Sequence, residues 1–300
     1  MNGILCMNKP QEFTSFDVIG KLRGILHMKR LGHTGTLDPM ATGVLPVLVG
    51  TAAKACDIMP CQDKTYRAGI CFGRSSDTLD IWGNDFTEYP EMHVTEQALL
   101  NIFSDFTGEI EQIPPMYSAV SVGGKRLYEL ARKGIEAERP LRKVQVYSIE
   151  LESFNEDKQE AEISVKCGKG TYIRTLIDDI GRMLGGGAVM ASLCRTMASG
   201  FDISECYTFD EVKEACDSGS IEKILIPTER LFEDLPKLHL NDVQTRMYRN
   251  GVKLDLMRIH NIIQGKSDYT VYGSDEIFIG TAKADFENNE LRCGKNFEER

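Results

Sequence analysis

The side chain best placed to do chemistry is a single carboxylate. Asp38 sits in the loop Gly35-Thr36-Leu37-Asp38-Pro39-Met40-Ala41-Thr42-Gly43, directly ahead of an apolar run over 44–49 that is broken only by Pro46. Gly35 and Gly43 open backbone conformations closed to other residues. Pro39 steers Asp38 away from helical geometry toward an extended one, and the run behind reads as a buried strand. An acid presented in front of a packed strand can serve as nucleophile or base. It can equally cap a turn, the commoner use of such a loop. The cation suited to hold it ionised is Arg174, in the first turn of a helix, where the dipole disfavours positive charge unless an anion faces it. Two anions compete for Arg174: Asp38, and Asp178 one turn along the same helix. A pair with Asp38 would keep that carboxyl charged at neutral pH. Asp77 and Asp80 read as parts of a turn, so they make poor candidates for the paired acids of a sugar hydrolase.

Several elements must position these groups. Thr14 caps a helix with the stripe Val18, Ile19, Leu22, Ile25 and Leu26. Tyr66, Ala68, Ile70 and Phe72 alternate with Arg67, Gly69 and Cys71, which predicts a half-buried strand and makes core packing the plain reading of Tyr66. Thr95 caps a second helix carrying Leu99, Ile102, Phe103 and Phe106. Ile113-Pro114-Pro115 interrupts regular structure, and about 114–143 reads as a basic insertion with a short helix at 127–133. Strands over 144–152 and 161–167 form a hairpin through Asn155-Glu156-Asp157-Lys158. A helix begins at about Thr171, presents Ile173, Ile177, Ile180 and Leu184, and ends at Gly185-Gly186-Gly187. A further helix covers 209–216. Beyond Pro227 the character changes to short strand-like pieces at 269–272, 276–282 and 291–293. The alternating strands and the hairpin speak for antiparallel pairing.

The chain of 300 residues carries a net charge of −10, which argues against a general nucleic-acid binder. Its distribution is uneven. Lys21, Arg23, Lys29 and Arg30 form one basic cluster, and the stretch from Lys125 to Lys143 another, whereas 202–234 is acidic. A polyanion could bind one face, or both basic runs could be solvated helix faces. The nine cysteines are scattered without a C-x-x-C pair, as expected of reduced thiols in the cytoplasm rather than a disulfide frame or zinc site. No apolar run approaches the ~20 residues of a membrane span, and the N-terminus lacks the pattern of a secretory signal. There is no convincing G-x-G-x-x-G, P-loop or metal cluster, so a cofactor-free, metal-free reaction is expected.

Together the motifs resemble the bacterial tRNA pseudouridine-55 synthases of the TruB type. His33-Thr34-Gly35-Thr36-Leu37-Asp38-Pro39-Met40-Ala41-Thr42-Gly43-Val44-Leu45 is similar to the family's signature. Asn8-Lys9-Pro10, Lys64-Thr65-Tyr66-Arg67, Asp77-Thr78-Leu79-Asp80, Pro114-Pro115-Met116-Tyr117-Ser118-Ala119, Lys169-Gly170-Thr171-Tyr172-Ile173-Arg174 and Leu193-Cys194-Arg195-Thr196 follow in the family's order. The resemblance implies an α/β fold of α+β type. A pseudouridine synthase domain over 1–227 would have a central mixed, largely antiparallel sheet flanked by helices, with a small β-rich, PUA-like domain over 228–300. It implies that Asp38 is the catalytic carboxylate, acting as nucleophile or base and paired with Arg174, and that Tyr66 stacks on a flipped uracil. Tyr172 and Leu193 would line that pocket. His33 would enter the RNA stack where the base leaves. Lys9, Lys64, Lys125, Arg126 and Arg132 would contact phosphates. The substrate would be uridine 55 in the T-arm stem-loop of tRNA, and the enzyme a monomer. Ser121 departs from the pattern, standing where a lysine commonly follows the tyrosine motif. A binding module that folds the tRNA elbow without catalysis is the competing expectation.

Overall fold

The computed structural model describes residues 1–118 and 120–299; Ala119, from the tyrosine motif, and Arg300, the last residue of the expected C-terminal unit, lie outside the described residues. In chain order the first half holds β1 (Gly3–Lys9), α1 (Ser15–Leu26), β2 (Leu31–His33), β3 (Thr42–Val49), β4 (Lys64–Phe72), β5 (Arg74–Ser76), β6 (Phe86–Glu88), α2 (Glu96–Ile102), β7 (Gly108–Gln112), β8 (Ser121–Val122), β9 (Lys125–Arg126) and α3 (Leu127–Ala131). The second half holds β10 (Arg142–Asn155), β11 (Glu160–Cys167), α4 (Ile173–Met183), β12 (Ala188–Ala198), β13 (Phe201–Asp202), α5 (Phe209–Asp217), β14 (Lys237–His239), α6 (Asp242–Arg249), β15 (Leu254–Asp255), β16 (Asp268–Tyr272), β17 (Phe278–Asp285) and β18 (Glu290–Asn296).

A central sheet runs β1-β3-β12-β4-β11-β10-β7, with β2 added to β3 and β13 to β12. Every pairing is antiparallel except β3 with β12. The mixed, largely antiparallel sheet is therefore present, and it is covered on both faces. From β1 and β3, Leu5, Met7, Leu45 and Val47 face a core built with α1 and α5. Their alternates Ile4, Cys6, Val44 and Leu48 face a second core that includes Phe232 and Phe297. Burial on both faces explains why β3 reads as a continuous apolar run rather than an alternating one. The strand passes through Pro46, which stands opposite Cys6.

Local chemistry sets the helices. The Thr14 side chain accepts from the Asp17 amide, and Asp17 returns a bond to the Thr14 amide, a reciprocal cap for α1. Val18, Ile19, Leu22 and Leu26 of α1 are buried, each contributing about 1.5–3 kcal/mol by area. α4 starts two residues later than the sequence suggests. Tyr172 is its non-helical N-cap, because the Gln112 side chain binds the Tyr172 amide and carbonyl and holds them outside the helix. The last strands also shift. Gly273 donates to the Ile277 carbonyl, closing a turn that delays β17 to Phe278.

C-terminal to the main sheet, β14-β16-β17-β18-β15 form a separate five-stranded sheet around Leu238, Tyr248, Tyr269, Val271, Ile279 and Leu291. Phe232, Phe278 and Phe297 stack where it meets the main body. No helix among the described residues is long and apolar enough to cross a membrane.

The parallel contact of β3 with β12 places Gly43 against Arg195. Gly43 has φ +99°, and a Cβ there would lie 2.2 Å from the Arg195 carbonyl oxygen. Both strain and collision forbid a side chain. Gly43→Ala is expected to destabilise the fold by more than about 2 kcal/mol, seen as a lower urea midpoint with an unchanged slope.

Candidate active site

The 35–44 loop is pinned from several directions. The Leu37 amide donates to Ser15 Oγ at 2.8 Å, which couples the loop to the start of α1. The Ala41 amide donates to the Asp38 carbonyl, closing a turn, and Leu37, Met40 and Ala41 enter the core. The Lys9 ammonium donates to the carbonyls of Pro10, Phe13 and Pro39 at 2.9, 2.6 and 3.3 Å. Lys9 is fully buried, and burial pulls its ammonium down to about 8. It is therefore no phosphate contact. It ties the end of β1 to the loop that carries Asp38, because three carbonyls already use its donors.

With its backbone fixed, Asp38 turns its carboxylate toward α4. Arg174 Nε lies 2.9 Å from Asp38 Oδ2. The Arg174 side chain is 6% exposed and that of Asp38 34%, so the pair is rooted in protein while the acid still opens outward. Arg174 Nη1 donates to the Thr78 carbonyl at 3.1 Å and lies 3.6 Å from Asp80 Oδ2. Its Nη2 donates to the Tyr117 carbonyl at 2.8 Å. Asp178 pairs with Arg182 instead, at 2.9 Å, which resolves the competition for Arg174 in favour of Asp38.

Asp80 does build a turn, accepting from Thr78 Oγ1 and the Trp82 amide. It also joins the Arg174 cluster, a part not read from its sequence context. Burial pushes its carboxyl above the usual range. The only signal was its place in Asp77-Thr78-Leu79-Asp80, which reads locally as turn chemistry.

Tyr66 is buried on β4, directly across from Arg195 on β12, and burial raises its phenol. Leu193 of β12 and Tyr66 belong to one core that also holds Leu37 and Ile173. Tyr172 is half-buried at the head of α4, its phenol likewise raised by burial. His33, half-buried at the end of β2, is pushed below its ordinary value by burial and by the Arg195 charge, which favours a neutral ring. Lys64 Nζ donates to the Gln62 carbonyl at 2.6 Å, and its chain reaches the Gly35 end of the loop. Lys125, Arg126 and Arg132 are exposed on the insertion. The β8–β9 hairpin carries the first two, and the Arg132 guanidinium lies 5.6 Å from the Tyr128 ring centre. A cavity of about 820 Å³ opens between α4 and the insertion, lined by Asp77, Thr175, Asp178 and Arg139 among others. Asp38 does not line it, and burial beside Asp178 raises the Asp179 carboxyl there to about 6. No group of three or more His, Cys, Asp or Glu among the described residues could hold a metal.

Residues 23–173 match the TruB family pseudouridylate synthase N-terminal domain, and 174–233 match the tRNA pseudouridylate synthase B C-terminal domain. Proteins called tRNA pseudouridine synthase B from Clostridium tetani and Geobacillus kaustophilus are each 41% identical. The first alignment covers 93% of this chain and 94% of the relative, the second 89% and 95%. A Bacillus pumilus protein of the same name is 42% identical over 85% of this chain and 84% of its own. Among solved structures, a Cbf5-Nop10-Gar1 complex aligns with a TM-score of 0.76 at 26% identity, covering 99% of this chain and 85% of that one. An H/ACA RNP bound to a substrate RNA containing 2'-deoxyuridine aligns at 0.75 and 24%, with 99% and 86% coverage, a likeness of fold.

The shared guanidinium makes the acids of this cluster interdependent. Arg174→Met is expected to lower stability by about 3–5 kcal/mol, since Asp80 and the Thr78 and Tyr117 carbonyls lose their donor inside the protein. A double-mutant cycle with Asp80→Asn should give a coupling of about 1–3 kcal/mol by chemical denaturation.

Proposed function

The chain belongs to the TruB family of pseudouridylate synthases, and on that premise we propose that it isomerises uridine 55 in the T-loop of tRNA, with Asp38 as the reacting carboxylate. As a pseudouridine synthase it is an isomerase. The reaction breaks the C1′–N1 bond, turns the detached uracil and joins C1′ to C5. The C5 proton leaves and N1 gains one, so no electron donor or acceptor is required. Asp38 would open the sequence, either by attack on the sugar carbon or by removal of a sugar proton.

The observation that carries this reading is the pair of Asp38 with a buried Arg174, which fixes the carboxylate and leaves it partly open. Tyr66 supplies a ring for the flipped uracil and an oxygen that can take the C5 proton late in the sequence. Tyr172 and Leu193 are the further walls of that pocket, and the flat neutral ring of His33 suits the place the base vacates. The exposed Lys125, Arg126 and Arg132 make the insertion a clamp on T-arm phosphates, with Lys64 closer to the loop. In this reading 1–227 is the catalytic domain, 228–300 a PUA-like domain, and the protein a cytoplasmic monomer that uses no cofactor.

The insertion carries exposed cationic side chains that the chemistry at Asp38 does not require, which leaves room for a second role, binding and refolding of the tRNA elbow without catalysis. Pseudouridine mapping on an unmodified tRNA transcript separates the two. Asp38→Asn is expected to slow single-turnover conversion at position 55 by more than about 10³-fold while tRNA affinity stays within about fivefold. Full conversion by a clean Asp38→Asn protein would remove Asp38 from the reaction. Conversion at another uridine would reject the T-loop.

A further inference from the structure

Arg195 is 0% exposed, and the sheet places it between the two halves of the site. On one side it pairs with Gly43 of β3, at the end of the Asp38 loop. On the other it stands directly across from Tyr66 of β4. Directly opposed residues on neighbouring antiparallel strands present side chains to the same face, so the guanidinium and the phenol share one surface of the sheet.

The guanidinium engages the loop at both ends. Its Nε donates to the Val44 carbonyl at 2.7 Å and its Nη2 to the Gly35 carbonyl at 3.2 Å. These acceptors are neutral carbonyls, poor compensation for an ion removed from water. Nη1 is buried and has no hydrogen-bond partner of strict geometry among the described residues. Buried donors are rarely left unused, so one that is calls for an explanation, a role in the chemistry among them. An arginine cannot shed its proton to escape the penalty, so a permanent charge sits within hydrogen-bonding reach of the Tyr66 hydroxyl, and Nη1 is the nitrogen that no other group among the described residues holds.

We propose that Arg195 is a positioning residue for the isomerisation: it clips the two ends of the Asp38 loop and reserves Nη1 for the Tyr66 oxygen, fixing acid and phenol relative to each other. This rests on the reading of Tyr66 as the late proton acceptor. A phenol accepts a proton well only as its anion, and burial opposes the anion. The groups facing Tyr66 divide by sign: Arg195 from β12 favours the phenolate and Asp38 from the loop opposes it, as Cys167 from β11 does only once its own thiol, pushed up to about 11 by burial, has ionised. Lys9, His33 and Lys64 also feel the Arg195 charge, and each of the three is made a poorer cation by it. Arg195 is therefore the permanent positive charge that offsets burial at Tyr66.

The test is the pH profile of single-turnover conversion of a tRNA transcript by wild type, Arg195→Gln, Arg195→Lys and Tyr66→Phe, with tRNA affinity measured alongside. Removing the cation makes the phenolate harder to form, so the rising limb of the Arg195→Gln profile should move about one unit toward alkaline pH. Its rate should fall roughly 10- to 100-fold, with tRNA affinity within about fivefold. Arg195→Lys, which keeps the charge but not the fork, should hold the wild-type limb while its rate falls roughly 10-fold. If Arg195→Gln does not fold, the lysine variant decides alone: an unshifted limb with a lowered rate supports the role, and wild-type rate and limb together, or a shifted limb, overturn it. A wild-type limb in folded Arg195→Gln, beside a Tyr66→Phe protein that has lost it, would overturn the Arg195 role alone. A Tyr66→Phe protein with wild-type rate and profile would instead sink the reading of Tyr66, and the Arg195 role with it.

Discussion

A charge taken out of water must be matched by geometry, and around Arg174 that constraint organises four separate stretches of chain. The guanidinium is nearly buried, so each of its edges needs an acceptor. Asp38 supplies one, the Thr78 carbonyl and Asp80 another, and the Tyr117 carbonyl a third. The loop before β3, the turn after β5, the insertion and α4 thus converge on one planar cation. Arginine suits the task because its donors lie in a fixed fork. Asp38 needs only to point outward from that fork to be held and reachable.

The rest of the site follows from where the sheet runs. β12 lies between β3 and β4, so a single strand touches both the end of the acid's loop and the strand of the aromatic ring. The close approach at Gly43 is the steric side of that arrangement, and the buried Arg195 is its polar side. Lys9 adds a third anchor from β1. The loop is irregular in conformation, yet its backbone is bound by two buried cations, a serine hydroxyl and the adjoining strand. Rigidity of this kind lets a loop carry a reacting group as a helix or strand would.

Much of this was legible in the sequence, and the parts that were not share a cause. The Thr14 cap, the alternation around Tyr66, the hairpin after the insertion and the stripe of α4 are local patterns, and each gave its element within a few residues. Asp38 was legible because its glycines and proline constrain it locally. β12 was not read as a strand: it mixes small, polar and apolar residues and is flanked by strands on both sides, so no clean alternation marks it. Lys9 looked like a surface cation because nothing adjacent reveals that three carbonyls close over it. Asp80 looked like a turn residue because it is one, and its contact with Arg174 exists only after α4 packs against that turn. Long-range polar contacts leave no period in a sequence.

The contact between Arg174 and the insertion is made to a main-chain oxygen. Residue 117 contributes only its carbonyl to it, so the tether is indifferent to which side chain stands there. The surface of the insertion can therefore diverge, trading one set of exposed side chains for another, without the change being felt at the acid. The insertion and the Asp38 loop are thus joined through a main-chain atom, at a point that point mutation at residue 117 does not easily erase.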